Sequence, residues 1–179
     1  MSPVRVACLW VSTLTAVFAV GCGGQGGERF RVASESMLPT YTPGEEVDVD
    51  TDASKLGRGE VVVFHPPTGA EENVCGVSRP PSAACPRATP TQSPNKFIQR
   101  IVAVGGDRVK VVEGLVALSG KTLEERYARP DGSWAPCNLP REITVPTGQL
   151  FVMGDNRGVS ADSREWGPIP KDWIVGKVD

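Results

Sequence analysis

The sequence predicts an all-β domain of twisted antiparallel sheets forming a partly open barrel, and three observations carry that prediction. Short valine-rich runs recur along the chain, either alternating apolar and polar residues or continuously apolar over four to eight positions. The runs are separated by turn formers, 20 glycines and 16 prolines in 179 residues. Helical periodicity is nearly absent, and no repeat recurs at a fixed interval. At this length one ordinary domain with a tail is expected, and a 40% hydrophobic content is enough to build its core.

About eight strands can be placed. Glu46-Val47-Asp48-Val49-Asp50 alternates and reads as half-buried, whereas Glu60 to Phe64 is a continuous apolar run closed by Pro66 and Pro67. Phe97 to Val104 (FIQRIVAV) ends at Gly105-Gly106-Asp107, which leads straight into Arg108 to Glu113 as a hairpin turn would. Leu115 to Leu118, Glu142 to Val145, Gln149 to Met153 and Ile174 to Val178 complete the set.

The first thirty residues read as an address. Arg5 precedes the apolar stretch Val6 to Val20, which falls short of the roughly 30 Å hydrocarbon core at about 1.5 Å per residue. A basic start, a short apolar run and a small-residue exit make an export signal. Residues 1–21 are therefore expected to be a signal peptide or membrane anchor, residues 22–29 a glycine-rich tether, and residues 30–179 the β domain. Ala19-Val20-Gly21-Cys22 resembles a bacterial lipobox, which makes Cys22 the expected lipidation site; the other reading is an uncleaved signal anchor in which Cys22 is only a small exit residue. Either way the domain is expected on the extracytoplasmic face of the cell membrane, with membrane lipid as a partner. Export permits disulfides. Cys75 and Cys85 lie ten apart in a Pro/Ser-rich insertion, residues 66–95, that needs a staple or a function, so they are the expected pair, with Cys137 free.

Composition excludes several functions. A net charge of −2 leaves no basic footprint for nucleic acid. One histidine, His65, supplies neither a His-rich metal site nor an obvious Ser-His-Asp triad, and no motif calls for a metal or cofactor. Two polar clusters remain. Ser34-Glu35-Ser36-Met37-Leu38-Pro39-Thr40 can be a simple turn or a nucleophile motif. Gly154-Asp155-Asn156-Arg157, followed by Ser160-Ala161-Asp162-Ser163-Arg164-Glu165-Trp166-Gly167, can be a capped turn with ion pairs or part of a site.

Taken in order, SESMLPT, GEEVDVD, RGEVVVFHPP, FIQRIVAVGGDRVKV and VMGDNRGVSADSREWGPIP resemble the boxes of bacterial type I signal peptidases, over about Phe30 to Val178. The resemblance implies the signal-peptidase fold and a serine endopeptidase that removes signal peptides from exported precursor proteins with a Ser/Lys dyad. Ser36 is then the nucleophile, and its backbone N–H with the Ser34 hydroxyl forms the oxyanion hole. Ser160 orients the base, while Asp155, Arg157, Asp162 and Arg164 are read as structural support.

One position departs from the pattern. Where the family carries its general-base lysine, before the arginine of the FIQRIVAV strand, this chain has Gln99. An amide can hydrogen-bond Ser36 but does not usefully take its proton. Lys96 is an odd offset away and expected on the opposite strand face, His65 at a strand end, and Lys121 in a turn. Two functions stay open: a signal peptidase, or a catalytically inactive relative that binds extended peptide segments. A self-cleaving repressor-type domain shares the Ser/Lys logic, but the export signal and the lack of a DNA-binding region argue against it.

Overall fold

The computed structural model describes residues 27–52, 55–130 and 137–179. The expected signal segment and Cys22 lie outside the described residues. Eleven strands and one short α-helix are found among them, besides single 3₁₀ turns: β1 (Gly27–Arg31), β2 (Glu46–Asp50), β3 (Val61–Phe64), β4 (Phe97–Val104), β5 (Arg108–Val112), β6 (Leu115–Leu118), β7 (Lys121–Thr122), β8 (Leu139–Thr144), β9 (Gln149–Met153), α1 (Ser163–Trp166), β10 (Ile169–Pro170) and β11 (Ile174–Val178). Among these residues no helix is long and apolar enough to cross a membrane.

The strands form two antiparallel sheets. The larger runs β1-β2-β11-β3-β4-β9-β10 and the smaller β7-β6-β5-β8. This is the all-β architecture of twisted sheets that the valine runs predict. The expected β4–β5 hairpin is a correction: β4 pairs with β3 and β9, whereas β5 pairs with β6 and β8 in the other sheet. The Gly105-Gly106-Asp107 segment is a corner between sheets. The backbone passes so close that a Cβ on Gly105 would lie 2.9 Å from the Pro146 carbonyl oxygen. Asp107 pins the corner, its carboxylate held by the Arg58 guanidinium and accepting from the Val104 N–H. Strand β5 instead forms a hairpin with β6, joined by Glu113 and Gly114 with φ of 51° and 79°. Positive φ at both central residues is what a two-residue type I′ turn requires.

Other differences have local causes. Strand β1 begins inside the stretch read as a tether, because its five residues pair with β2 throughout despite the flanking glycines. Strand β8 starts three residues earlier than the sequence implies, at Leu139, whose buried side chain belongs to the core beneath β5. Ser163–Trp166 forms one helical turn, N-capped by the Asp162 carboxylate on the Arg164 N–H.

Strand β4 is buried on both faces from Ile98 to Ala103. Ile98 packs with Met37, Val61 and Val63; Ile101 joins Val62, Phe64 and Trp166; Val102 and Ala103 join the core between the sheets. An irregularity between Ile101 and Ala103 shifts the register against β9 and so lets one strand serve three clusters. The insertion is stapled by a Cys75–Cys85 disulfide with Cα atoms 5.7 Å apart, and Cys137 is free and buried. It docks on the segment around α1: the Cys85 N–H donates to the Arg164 carbonyl at 3.0 Å, and Arg79 pairs with Glu165 at 2.7 Å.

Candidate functional site

Ser36 sits on a one-turn 3₁₀ helix, Glu35–Met37, between β1 and β2. Ser34 caps this turn, its Oγ accepting from the Ser36 N–H at 3.5 Å, and the two hydroxyl oxygens are 3.1 Å apart. Met37, fully buried, anchors the turn in the core beneath β2, β3 and β4. From the other side the Asn156 backbone N–H donates to the Ser36 carbonyl at 2.9 Å, and the Asn156 amide donates to the Glu35 carbonyl at 3.1 Å. The contact leaves no room for a side chain at Gly154, whose Cβ would lie 2.5 Å from the Ser36 carbonyl oxygen and 2.3 Å from Ser160 Oγ.

A cleft of about 560 Å³ opens over this turn, with Ser34, Ser36, Gln99, Ala161 and Val159 in its lining. Gln99, on β4, is 2% exposed. Its Nε2 donates to the Ala161 carbonyl at 2.7 Å and, more loosely, to Ser160 Oγ at 3.4 Å. Its Oε1 is buried with no hydrogen-bond partner. Ser160 is fully buried, and its hydroxyl also accepts from the Gly154 N–H at 3.2 Å. Ser36 and Gln99 thus line one opening although 63 positions separate them, and Ser160 sits buried behind Gln99.

Four of the charged residues of the second cluster, Asp155, Arg157, Asp162 and Arg164, are buried and paired, but not all with one another. Arg164 grips Asp162 bidentately, both contacts at 2.8 Å. Asp155 instead receives Arg100 from β4, at 2.9 and 2.7 Å, together with the Thr40 hydroxyl. Arg157 pairs with Glu125 at 2.7 and 3.0 Å, with both side chains sealed from solvent. Tyr127 completes this network. Its hydroxyl donates to Glu125 at 3.1 Å, and its ring lies under the Arg100 guanidinium, 3.9 Å from centroid to Cζ. Burial, reinforced by the Glu125 charge, pushes the Tyr127 hydroxyl pKa up to about 12.

Sequence reasoning missed Arg100 and Glu125. Arg100 had a signal, because an arginine inside a buried apolar strand demands a carboxylate partner. Glu125 had none, since it sits in an ordinary polar stretch 32 residues from Arg157.

The alternative bases are placed as follows. Lys96 lies one residue before β4 at the cleft wall, but its Nζ is held by Glu28 at 2.6 Å. His65 Nδ1 lies 3.1 and 2.9 Å from the Ser93 and Asn95 carbonyl oxygens, and His65 is not among the cleft-lining residues. Lys121 is exposed at the start of β7. Among the described residues no group of three or more His, Cys, Asp or Glu side chains is arranged to hold a metal ion.

A family model described as "Signal peptidase, peptidase S26" matches residues 6–179. The chain belongs to this family. Among curated relatives, the Signal peptidase I of Leptolyngbya laminosa is 31% identical over 170 residues, covering 92% of this chain and 73% of the relative. The Probable signal peptidase I-1 of a Synechocystis species is 33% identical over 148 residues, covering 81% of this chain and 65% of the relative. A crystal structure of a signal peptidase I from Enterococcus faecalis aligns with a TM-score of 0.45 at 19% identity, over 70% of this chain and 98% of that one.

Proposed function

We propose that this signal peptidase family member receives the signal peptides of exported precursor proteins in the cleft over Ser36, and that it is a slow peptidase because position 99 lacks a base. The observation that carries the reading is the shared cleft, in which Ser36, its capping hydroxyl and Gln99 line one groove. In this reading the domain works at the extracytoplasmic membrane surface, held by a lipid on Cys22 or by residues 6–20 as an anchor.

The chemistry follows from the side chains. Ser36 Oγ attacks the scissile carbonyl carbon, and the Ser36 N–H and Ser34 hydroxyl donate to the oxygen as it gains negative charge. The hydroxyl proton must leave as the C–O bond forms. With no base at position 99 it passes to solvent water, and water returns a proton to the amine that departs as the C–N bond breaks. Gln99 Oε1, buried and without a partner, is an amide oxygen: it can accept a hydrogen bond but does not take that proton. Ser160, which accepts from Gln99 Nε2, positions the amide. The largely apolar cleft suits small side chains next to the bond, and extended substrate is held by main-chain pairing. Binding without cleavage is the second reading, favoured by the same Gln99 geometry.

The cleft itself is tested by a labelled peptide spanning a signal-peptide cleavage site, titrated into the full chain. Ala33, exposed at the cleft wall, is the position to block. The Ala33→Trp variant is expected to bind at least about ten-fold more weakly, a loss of roughly 1.4 kcal/mol. Unchanged affinity in a folded variant would place the peptide elsewhere and overturn the reading.

A further inference from the structure

The lining of the cleft is uneven in charge. Glu35, Glu71 and Lys96 are its three charged residues. Lys96 is paired with Glu28, which leaves two carboxylates without a cation. Neither Glu35 nor Glu71 forms an ion pair among the described residues; Glu71 Oε1 accepts only from the Asn95 amide, at 2.6 Å. Glu71 belongs to the stapled insertion and also lines a second depression of about 230 Å³, which carries Glu72 and prolines but no lysine or arginine. The cleft therefore runs, at its Glu71 end, into a rim that is anionic and lacks its own counter-charge.

The segment leading into β4 bounds how far this rim lies from the reacting bond. Asn95, which holds Glu71, is four residues before Gln99. Asn95 lies in the bend before β4, so at about 3.3 Å per extended residue the separation is at most roughly 13 Å, which an extended substrate covers in no more than four residues. Resting on the reading of the cleft as a signal-peptide groove, we propose that Glu71 is a specificity residue. It selects a lysine or arginine side chain three or four residues from the bond presented to Ser36. The insertion thereby adds a charge preference to a groove whose centre accepts small apolar side chains.

The test uses one neutral labelled peptide spanning a signal-peptide cleavage site and four derivatives, each with lysine at the third or fourth residue on one side of the bond. An exposed carboxylate–ammonium pair strengthens binding by about two- to five-fold. One derivative is expected to bind the full wild-type chain that much more tightly than the neutral peptide. The gain should vanish in Glu71→Gln and at about 0.5 M salt, where surface charges are screened. A lysine preference at none of the four positions, or one undiminished in Glu71→Gln, overturns the proposal. Failure of the neutral peptide to bind would instead overturn the groove reading on which it rests.

Discussion

The Gln99→Lys variant is expected to cleave a signal-peptide substrate about 100- to 10,000-fold faster than the protein as it stands, the usual contribution of a positioned general base. Gln99 is 2% exposed, so an amine in its place would be held largely out of water. Burial disfavours the charged ammonium and lowers its pKa, by up to about 3–5 units for a fully buried group. The Ala161 carbonyl and Ser160 hydroxyl, which now accept from the Gln99 amide, would orient that amine and partly oppose the shift by favouring its charged form. Burial is the larger effect, so a useful fraction of neutral amine is expected near neutral pH. The check is a rate measurement with mass-spectrometric identification of the cut. The added activity must disappear in the Ser36→Ala/Gln99→Lys double variant.

Glu125→Ala is expected to lower folding stability by about 3–5 kcal/mol, the cost of removing one partner from a buried ion pair. Against the roughly 5–15 kcal/mol that holds a domain folded, that is about a fifth of the whole or more. The magnitude follows from what would be stranded. The Arg157 guanidinium is sealed from solvent and would lose both of its contacts to Glu125, keeping only the Gly154 and Gly114 carbonyls. The Val116 N–H and the Tyr127 hydroxyl would lose their acceptor as well. Urea denaturation measures the loss. The Glu125→Leu/Arg157→Leu pair should recover much of it, because replacing both ions leaves no charge unpaired. A loss below about 1 kcal/mol in the single variant would show that Arg157 finds other partners.

The sequence carried strands well where burial follows a simple pattern. The bounds of β2, β4, β6, β9 and β11 can be read directly, since each is a short run of apolar or alternating apolar residues. Reading failed where pairing is decided by distant partners. A Gly-Gly-Asp turn looks the same whether the next strand returns alongside or crosses to another sheet. Here the close approach of Gly105 to Pro146 and the pinning of Asp107 by Arg58 make it a corner. Strand β1 was hidden because its partner β2, not its own composition, holds it extended.

The site divides in the same way. Local patterns located the Ser34–Ser36 turn and the Asp162–Arg164 pair, whose members lie two residues apart. Asp155 and Arg157 sit equally close in sequence, yet their partners come from β4 and from Glu125. No local spacing announces such pairs. They arise because two guanidinium groups, once buried, must each find a carboxylate.

The most direct test of the slow-peptidase account is single-turnover cleavage of one signal-peptide substrate at neutral pH by the wild-type chain and by its Ser36→Ala variant. With no base at position 99, the wild type should exceed Ser36→Ala by no more than about ten-fold, within the residual catalysis that oxyanion donors and binding supply. A wild-type rate thousands of times that of Ser36→Ala would contradict the account. If Lys96→Met then abolished that rate, the lysine now held by Glu28 would be identified as the base.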